Sequence, residues 1–208
     1  PLPGHGRKEN KVSFSAIFRM PHVPGLFVLV LLIQVTLGYY YSFFPVYFSA
    51  LPGSGTSLLG FAYLIAAISE TPFLIFADRL YNRIGVGRLL CVAAAALTVR
   101  WTVLALTSNP VVVLCSQLLH GWGFIIVTVG MAKYLNDHAP GELKARAQAA
   151  LSLVGAGLAR VVGNLGGGLL GEAVGIQNGF FVVACVTFAA LVVFAPIYLR
   201  QKPLNGEA

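Results

Sequence analysis

The segment LLCVAAAALTVRWTVLALT, Leu89–Thr107, decides what kind of protein this is. Its length matches the roughly 20 residues that a helix needs to cross a ~30 Å hydrocarbon core. Its apolar residues do not alternate with polar ones, so it reads as a membrane helix and not as a strand of a membrane barrel. A single charge, Arg100, sits inside it. An ionisable side chain at bilayer depth is costly and points to a transport or proton path.

Five further stretches of this kind lie on either side, at about Pro24–Phe48, Ser57–Ala77, Pro110–Met131, Ala145–Leu170 and Ile176–Leu199. The 208 residues are 57% hydrophobic and 10% charged, whereas soluble domains carry about a quarter charged residues. So few charges cannot cover a water-facing surface. The expected fold is an all-α integral membrane protein, a bundle of six transmembrane helices over residues 24–200. Residues 1–12 read as a flexible basic linker that continues from something upstream. Within the opening region, residues 1–23, Phe14, Ile17 and Phe18 beside Arg19 read as a short amphipathic surface segment. Residues 201–208 read as a tail. The short connections make consecutive helices antiparallel neighbours.

The net charge of +7 is not a nucleic-acid signature, because of where the charges sit. Arg7, Lys8, Lys11 and Arg19 precede the first span, and Arg79, Arg83 and Arg88 join the second to the third. Lys133, Lys144 and Arg146 flank the fourth connection, and Arg200 and Lys202 follow the last span. The loops at 49–56, 108–109 and 171–175 hold no Lys or Arg. This one-sided distribution places both termini in the cytoplasm of what reads as a bacterial inner (cell) membrane. No metal-ligand spacing or phosphate-binding glycine loop occurs, so neither metal nor cofactor is expected. Gly53-Ser54-Gly55 faintly resembles a buried serine-protease motif, but Ser54 lies in a loop and the sixth span has no histidine. No nucleophile–base pair is available, so an enzyme is not expected.

Glu70, His120 and Arg160 join Arg100 as ionisable groups inside spans. Counted from the basic ends at about 1.5 Å per residue, Glu70 lies roughly 12 Å deep, Arg100 roughly 18 Å, and His120 and Arg160 roughly 20 Å. Snorkelling works only near helix ends, so the four are expected to face one polar cavity near the midplane. A carboxyl group there can carry a proton, an arginine moving toward it drives the proton off, and a histidine can relay it. The plainer alternative is a static Glu70–Arg100 bridge holding two helices together. One acid, two arginines and one histidine make the band net positive, which suits an anionic solute. Tyr39, Tyr40, Tyr41, Phe43, Phe44 and Tyr47 crowd one half of the first span, either as an interfacial belt or in part against a solute. Tyr39 and Tyr40, with Gln34 and Asn164, are the candidate lining residues. Pro72 should kink the second helix, and Gly163, Gly167 and Gly171 form a small-residue stripe suited to close helix packing.

Several of these segments also resemble a known family. Ala77-Asp78-Arg79, with Asn82-Arg83-Ile84-Gly85 and Arg88, resembles the acidic-basic loop after the second helix of each half of major facilitator superfamily transporters. Gly163-Asn164-Leu165-Gly166-Gly167-Gly168 is similar to that family's eleventh-helix ending, and Phe18-Arg19-Met20-Pro21 to the loop entering the seventh helix. Ile68-Ser69-Glu70, Val99-Arg100-Trp101 and Leu118-Leu119-His120 resemble the eighth, ninth and tenth helices of the lactose permease and phenylpropionate permease branch. The resemblance implies the C-terminal half of a major facilitator fold, built from two inverted three-helix repeats, with the solute site between two halves. It implies substrate and proton-coupling roles for Glu70, Arg100 and His120, and a gating role for Asp78, Arg79, Arg83, Gly85 and Arg88. Where the resemblance to lactose permeases implies a second glutamate one turn after the histidine, this sequence has Gly123.

The expected function is therefore half of a proton-coupled secondary active transporter. It is a symporter working by alternating access on a small organic solute, such as an anionic or aromatic acid or a sugar. Its partners would be the solute, protons, the lipid bilayer, and either an N-terminal six-helix half or a second copy in a homodimer. The alternative is a non-transporting six-helix module that binds a membrane partner or lipid.

Overall fold

A computed structural model describes residues 14–200. The basic linker with Arg7, Lys8 and Lys11, and the tail with Lys202, lie outside the described residues. A short 3-10 helix, Phe14–Arg19, leads in, with Ile17 fully buried against the bundle. Six helices long and apolar enough to cross a membrane follow. They are α1 (Val23–Ser49), α2 (Thr56–Ile84), α3 (Val86–Leu106), α4 (Pro110–His138), α5 (Gly141–Val174) and α6 (Ile176–Arg200).

The helices outrun the apolar windows that announce them. α2 continues through Pro72 without interruption and ends at Ile84, not Ala77. Asp78–Arg83 is therefore helix and not loop. Leaving the apolar layer does not end a helix; a residue that breaks the bonding pattern does. That residue is Gly85, at φ 83° and ψ 150°, a conformation costly for any side-chain-bearing residue. Its N–H donates to the Tyr81 carbonyl and its own carbonyl accepts from Leu89 N–H, so one residue both closes α2 and opens α3. Gly175 repeats this between α5 and α6, at φ 83° and ψ 153°, with the corresponding bonds to Gly171 and Gly179. The two joints sit at opposite ends of the bundle, as inverted three-helix repeats require. α4 starts on an Asn109 cap, whose Oδ1 accepts from Val111 N–H at 2.9 Å, followed by Pro110.

Packing follows the small residues. α1 meets α5 where Gly38 faces Gly163; a Cβ on Gly163 would lie 2.5 Å from the Val35 carbonyl oxygen. Gly167 leaves room for the Tyr39 and Phe43 rings, while Gly171, the third member of the stripe, meets only Ile176 at 3.7 Å. α3 and α6 pack together, joined by a Thr98–Thr187 hydroxyl bond of 2.9 Å, and Tyr198 of α6 fills the space left by Gly87. α2 meets α4 at Gly121, which abuts the Ser69 carbonyl and donates its N–H to Ser69 Oγ at 3.0 Å.

Burial is uneven. Within their most apolar windows α1 is 61% buried, but α2 only 17% and α5 only 22%. Two helices also change pitch: α4 is 3-10 over Gln117–Leu119 and π over Ile126–Gly130, and α5 is π over Leu153–Leu158. Such changes inside a helix are frequent at functional sites.

Candidate functional site

Directly after the 3-10 turn of α4, His120 sits where α1, α2 and α3 converge. Arg100 Nη1 lies 2.7 Å from His120 Nδ1. A guanidinium has only donors, so Nδ1 accepts and the proton of the neutral ring is on Nε2. That Nε2–H faces Glu70 Oε1 at 3.3 Å and the Tyr41 hydroxyl at 3.2 Å. Three of the four expected groups thus form one chain, Arg100–His120–Glu70. The direct Glu70–Arg100 bridge is not formed: among the described residues no carboxylate lies within 4 Å of Arg100.

Arg100 is fully buried, and its positive charge is held by other means. Its second terminal nitrogen donates to Gln117 Oε1, which also accepts from the Tyr40 hydroxyl at 2.9 Å. Gln117 Nε2 in turn donates to the Val113 carbonyl at 3.2 Å. The guanidinium carbon lies 4.2 Å from the Tyr40 ring centroid and 5.1 Å from that of Trp101. Contacts of this kind strengthen when desolvated. The Arg100 Nε–H has no partner among the described residues. Trp101 is locked through Nε1 to Thr36 Oγ1 at 3.3 Å.

Arg160 is placed differently. It is exposed on α5, its guanidinium carbon 4.7 Å from the Tyr41 ring centroid. One turn on, Asn164 pairs with Ser42 at 2.7 Å; with its amide turned over, it also donates to the carbonyls of Gly38 and Arg160. The four ionisable groups therefore do not line one cavity within the described chain. Arg100 is sealed behind Tyr40 and Trp101, while Glu70 and Arg160 reach the outer face of the bundle.

Of the other candidates, Tyr40 belongs to the buried cluster, but Tyr39 turns the other way. Its hydroxyl donates to the Ile176 carbonyl at 2.8 Å and its ring packs on Phe43 and Phe180. Gln34 is 9% exposed and lies under Gly155, in the π segment of α5. Gly123 faces α3, where any Cβ would strike the Leu97 side chain, so a carboxylate does not fit there as the helices stand. At the basic end Asp78 pairs with Lys133 of α4 at 3.2 Å, and Lys133 also reaches Asp137 at 3.5 Å. Arg79 lies over the Phe76 ring, Arg83 is exposed, and Arg88 reaches the Leu199 carbonyl at 3.4 Å.

Sequence reasoning missed Gln117, and it named Tyr41 and Ser69 only as members of an aromatic cluster and of a motif, without a role in the site. Gln117 is a polar residue one turn from His120 inside an apolar helix, and that was the available signal.

Comparison with known proteins agrees with this architecture. Residues 3–182 match the family model described as "MFS_1 like family". The maltose permease of Geobacillus stearothermophilus is 31% identical over 168 residues, covering 80% of this chain and 42% of the permease. The lactose permease of Klebsiella oxytoca is 26% identical over 197 residues (88% and 46%). A probable 3-phenylpropionic acid transporter of Escherichia coli is 24% identical over 200 residues (96% and 50%). Among solved structures, the nucleoside transporter NupG superposes with a TM-score of 0.73 at 16% identity, over 92% of this chain and 51% of that one. The chain thus spans about half the length of the relatives it matches. With six membrane helices, two inverted glycine joints and a match over most of its length, this chain belongs to the MFS_1 like family and carries half of a major facilitator transporter fold.

Proposed function

We propose that this chain forms one half of a proton-coupled symporter for a small organic solute, working by alternating access. The observation that carries the reading is the Arg100–His120–Glu70 chain, which ends on a carboxylate at the bundle's uncovered face. Glu70 is the group that takes and gives the proton. Arg100 fixes the His120 tautomer, and His120 offers Glu70 a single directed N–H. Movement of the covering half would change what faces Glu70, and with it whether the carboxyl holds its proton.

The covering half is six further helices, supplied by the rest of a longer chain or by a second copy. Support comes from the poor burial of α2 and α5, and from the length of the relatives, about twice that of this chain. Asp78, Lys133 and Asp137 form the basic-end contact between α2 and α4 that would adjust as the halves rock. The one-sided basic loops support a reading in which both ends of the chain face the cytoplasm across the cell membrane.

The test is uptake into proteoliposomes carrying the complete protein under an imposed pH gradient, with a panel of sugars, nucleosides and aromatic carboxylates. Gradient-driven accumulation of one solute is expected, and Glu70→Gln should abolish it. Accumulation that survives Glu70→Gln would remove this residue from the proton path. No uptake of any solute would favour a non-transporting six-helix module.

A further inference from the structure

The two mid-membrane arginines are not equivalent, and the difference points to what the transporter carries. Arg100 is buried, and its terminal nitrogens are taken up by His120 and Gln117. Arg160 has neither condition. It is exposed, and among the described residues no carboxylate lies within 4 Å of its guanidinium. The Tyr41 ring covers one face at 4.7 Å. A ring on the face of a guanidinium leaves its N–H edge open, and that edge is the fork that matches a carboxylate with two parallel bonds. The stacking also holds the side chain, so little freedom is lost when a ligand arrives.

The surroundings fit a polar ligand group. Asn164, one turn along α5 from Arg160, pairs at 2.7 Å with Ser42, the residue next to Tyr41 on α1. Tyr41 also contacts His120, so the ring under Arg160 is in direct touch with the proton-path residues. The one carboxylate of the cluster, Glu70, is engaged by His120 at 3.3 Å. An unneutralised guanidinium near the bilayer midplane is expensive, and a bound anion would offset that cost only while it is present.

We infer that Arg160, stacked on Tyr41, is the docking point for the carboxylate of an anionic organic solute. This inference rests on the transporter reading and names its substrate class. It also couples solute to proton through one side chain, because Tyr41 lies between Arg160 and His120.

The complete protein, purified in detergent, would be titrated by calorimetry with acetate, benzoate and 3-phenylpropionate, each against its uncharged amide. At least one acid is expected to bind tenfold or more tighter than its amide. Arg160→Gln should remove that preference, Arg160→Lys should keep part of it, and Tyr41→Leu should weaken the acid while leaving the amide unchanged. A panel in which no acid outbinds its amide overturns the inference. So does acid binding within twofold of wild type in Arg160→Gln; there, a fall in thermal midpoint would assign Arg160 to pairing with an acid of the covering half. Binding and transport fail separately. Acid binding without gradient-driven uptake would leave the site standing and remove the symporter. Proton-driven uptake of a neutral solute, unchanged in Arg160→Gln, would do the reverse.

Discussion

His120 stands between Arg100 and Glu70, its Nδ1 2.7 Å from one and its Nε2 3.3 Å from the other. The two ring nitrogens do different work, and the amide side chains can separate them. Asn places its oxygen near where Nδ1 lies, so His120→Asn should keep an acceptor for Arg100. Gln reaches the Nε2 position, so His120→Gln should keep the Glu70 contact but strand a buried Arg100 donor, at about 1–3 kcal/mol. Thermal unfolding in detergent is expected to rank wild type and His120→Asn above His120→Gln. The opposite ranking would mean that the other tautomer is present.

Arg100→Lys keeps the charge but loses the fork. A lysine cannot serve His120 and Gln117 together while lying over both the Tyr40 and Trp101 rings. At least one buried acceptor is left short, so a loss of about 2 kcal/mol is expected. A midpoint unchanged from wild type would show that the aromatic contacts alone hold the charge.

The α1–α5 seam gives a sharper contrast. Gly163→Val places carbon against the Val35 carbonyl and Gly38, and overpacking of this kind costs about 1–3 kcal/mol. Gly166, three residues on, meets nothing within 4 Å. Gly166→Ala should be neutral or stabilising by up to about 1 kcal/mol, since alanine favours helix over glycine. Equal effects at the two positions in a thermal unfolding series would refute the close approach of α1 and α5.

Placing a glutamate at Gly123, where the family resemblance implies one, should fail on steric grounds. Gly123→Glu drives its side chain into Leu97, while the double change Gly123→Glu with Leu97→Ala opens the space. The pair should show a favourable coupling of about 0.5–3 kcal/mol in a double-mutant cycle. Strict additivity would mean that α3 and α4 are not in contact at this level.

At the basic end, the Asp78–Lys133 pair is half open to solvent, with the aspartate side chain 83% exposed. Exposed pairs contribute about 0–1 kcal/mol, so Asp78→Asn should leave the thermal midpoint nearly unchanged. Its effect, if the pair adjusts as the halves rock, should fall on uptake rate. A loss of several kcal/mol in stability would instead make the pair a structural clamp.

The spans were legible because hydropathy and length alone identify them, and the buried charges because charged residues are otherwise absent from the interior of those windows. The choice among Tyr39, Tyr40 and Tyr41 was not. Consecutive residues step by about 100° around a helix, and only the packing of α1 on Gly163, Gly167 and Gly179 sends Tyr39 inward and leaves Tyr41 beside Arg160. The pitch changes at Gln117–Leu119, Ile126–Gly130 and Leu153–Leu158 carry no compositional mark either. A one-residue shift in bonding leaves hydropathy unchanged, although it turns the side chains beyond it to a different face of the helix. Depth was the only coordinate available; it suggested one shared cavity and left a direct Arg100–Glu70 bridge open as the plainer alternative, and depth says nothing of the rotation of each helix.

The glycine joints at Gly85 and Gly175 have no slack. A one-residue connection fixes the distance between the helix ends it joins, so α2 with α3, and α5 with α6, are each a rigid lever around a fixed elbow. Relative travel must then be taken up at the longer connections, residues 50–55 between α1 and α2 and 107–109 between α3 and α4, and less at 139–140 between α4 and α5. Spin labels flanking either elbow should report one narrow distance in every state the complete protein populates, while labels across the longer connections should report more than one.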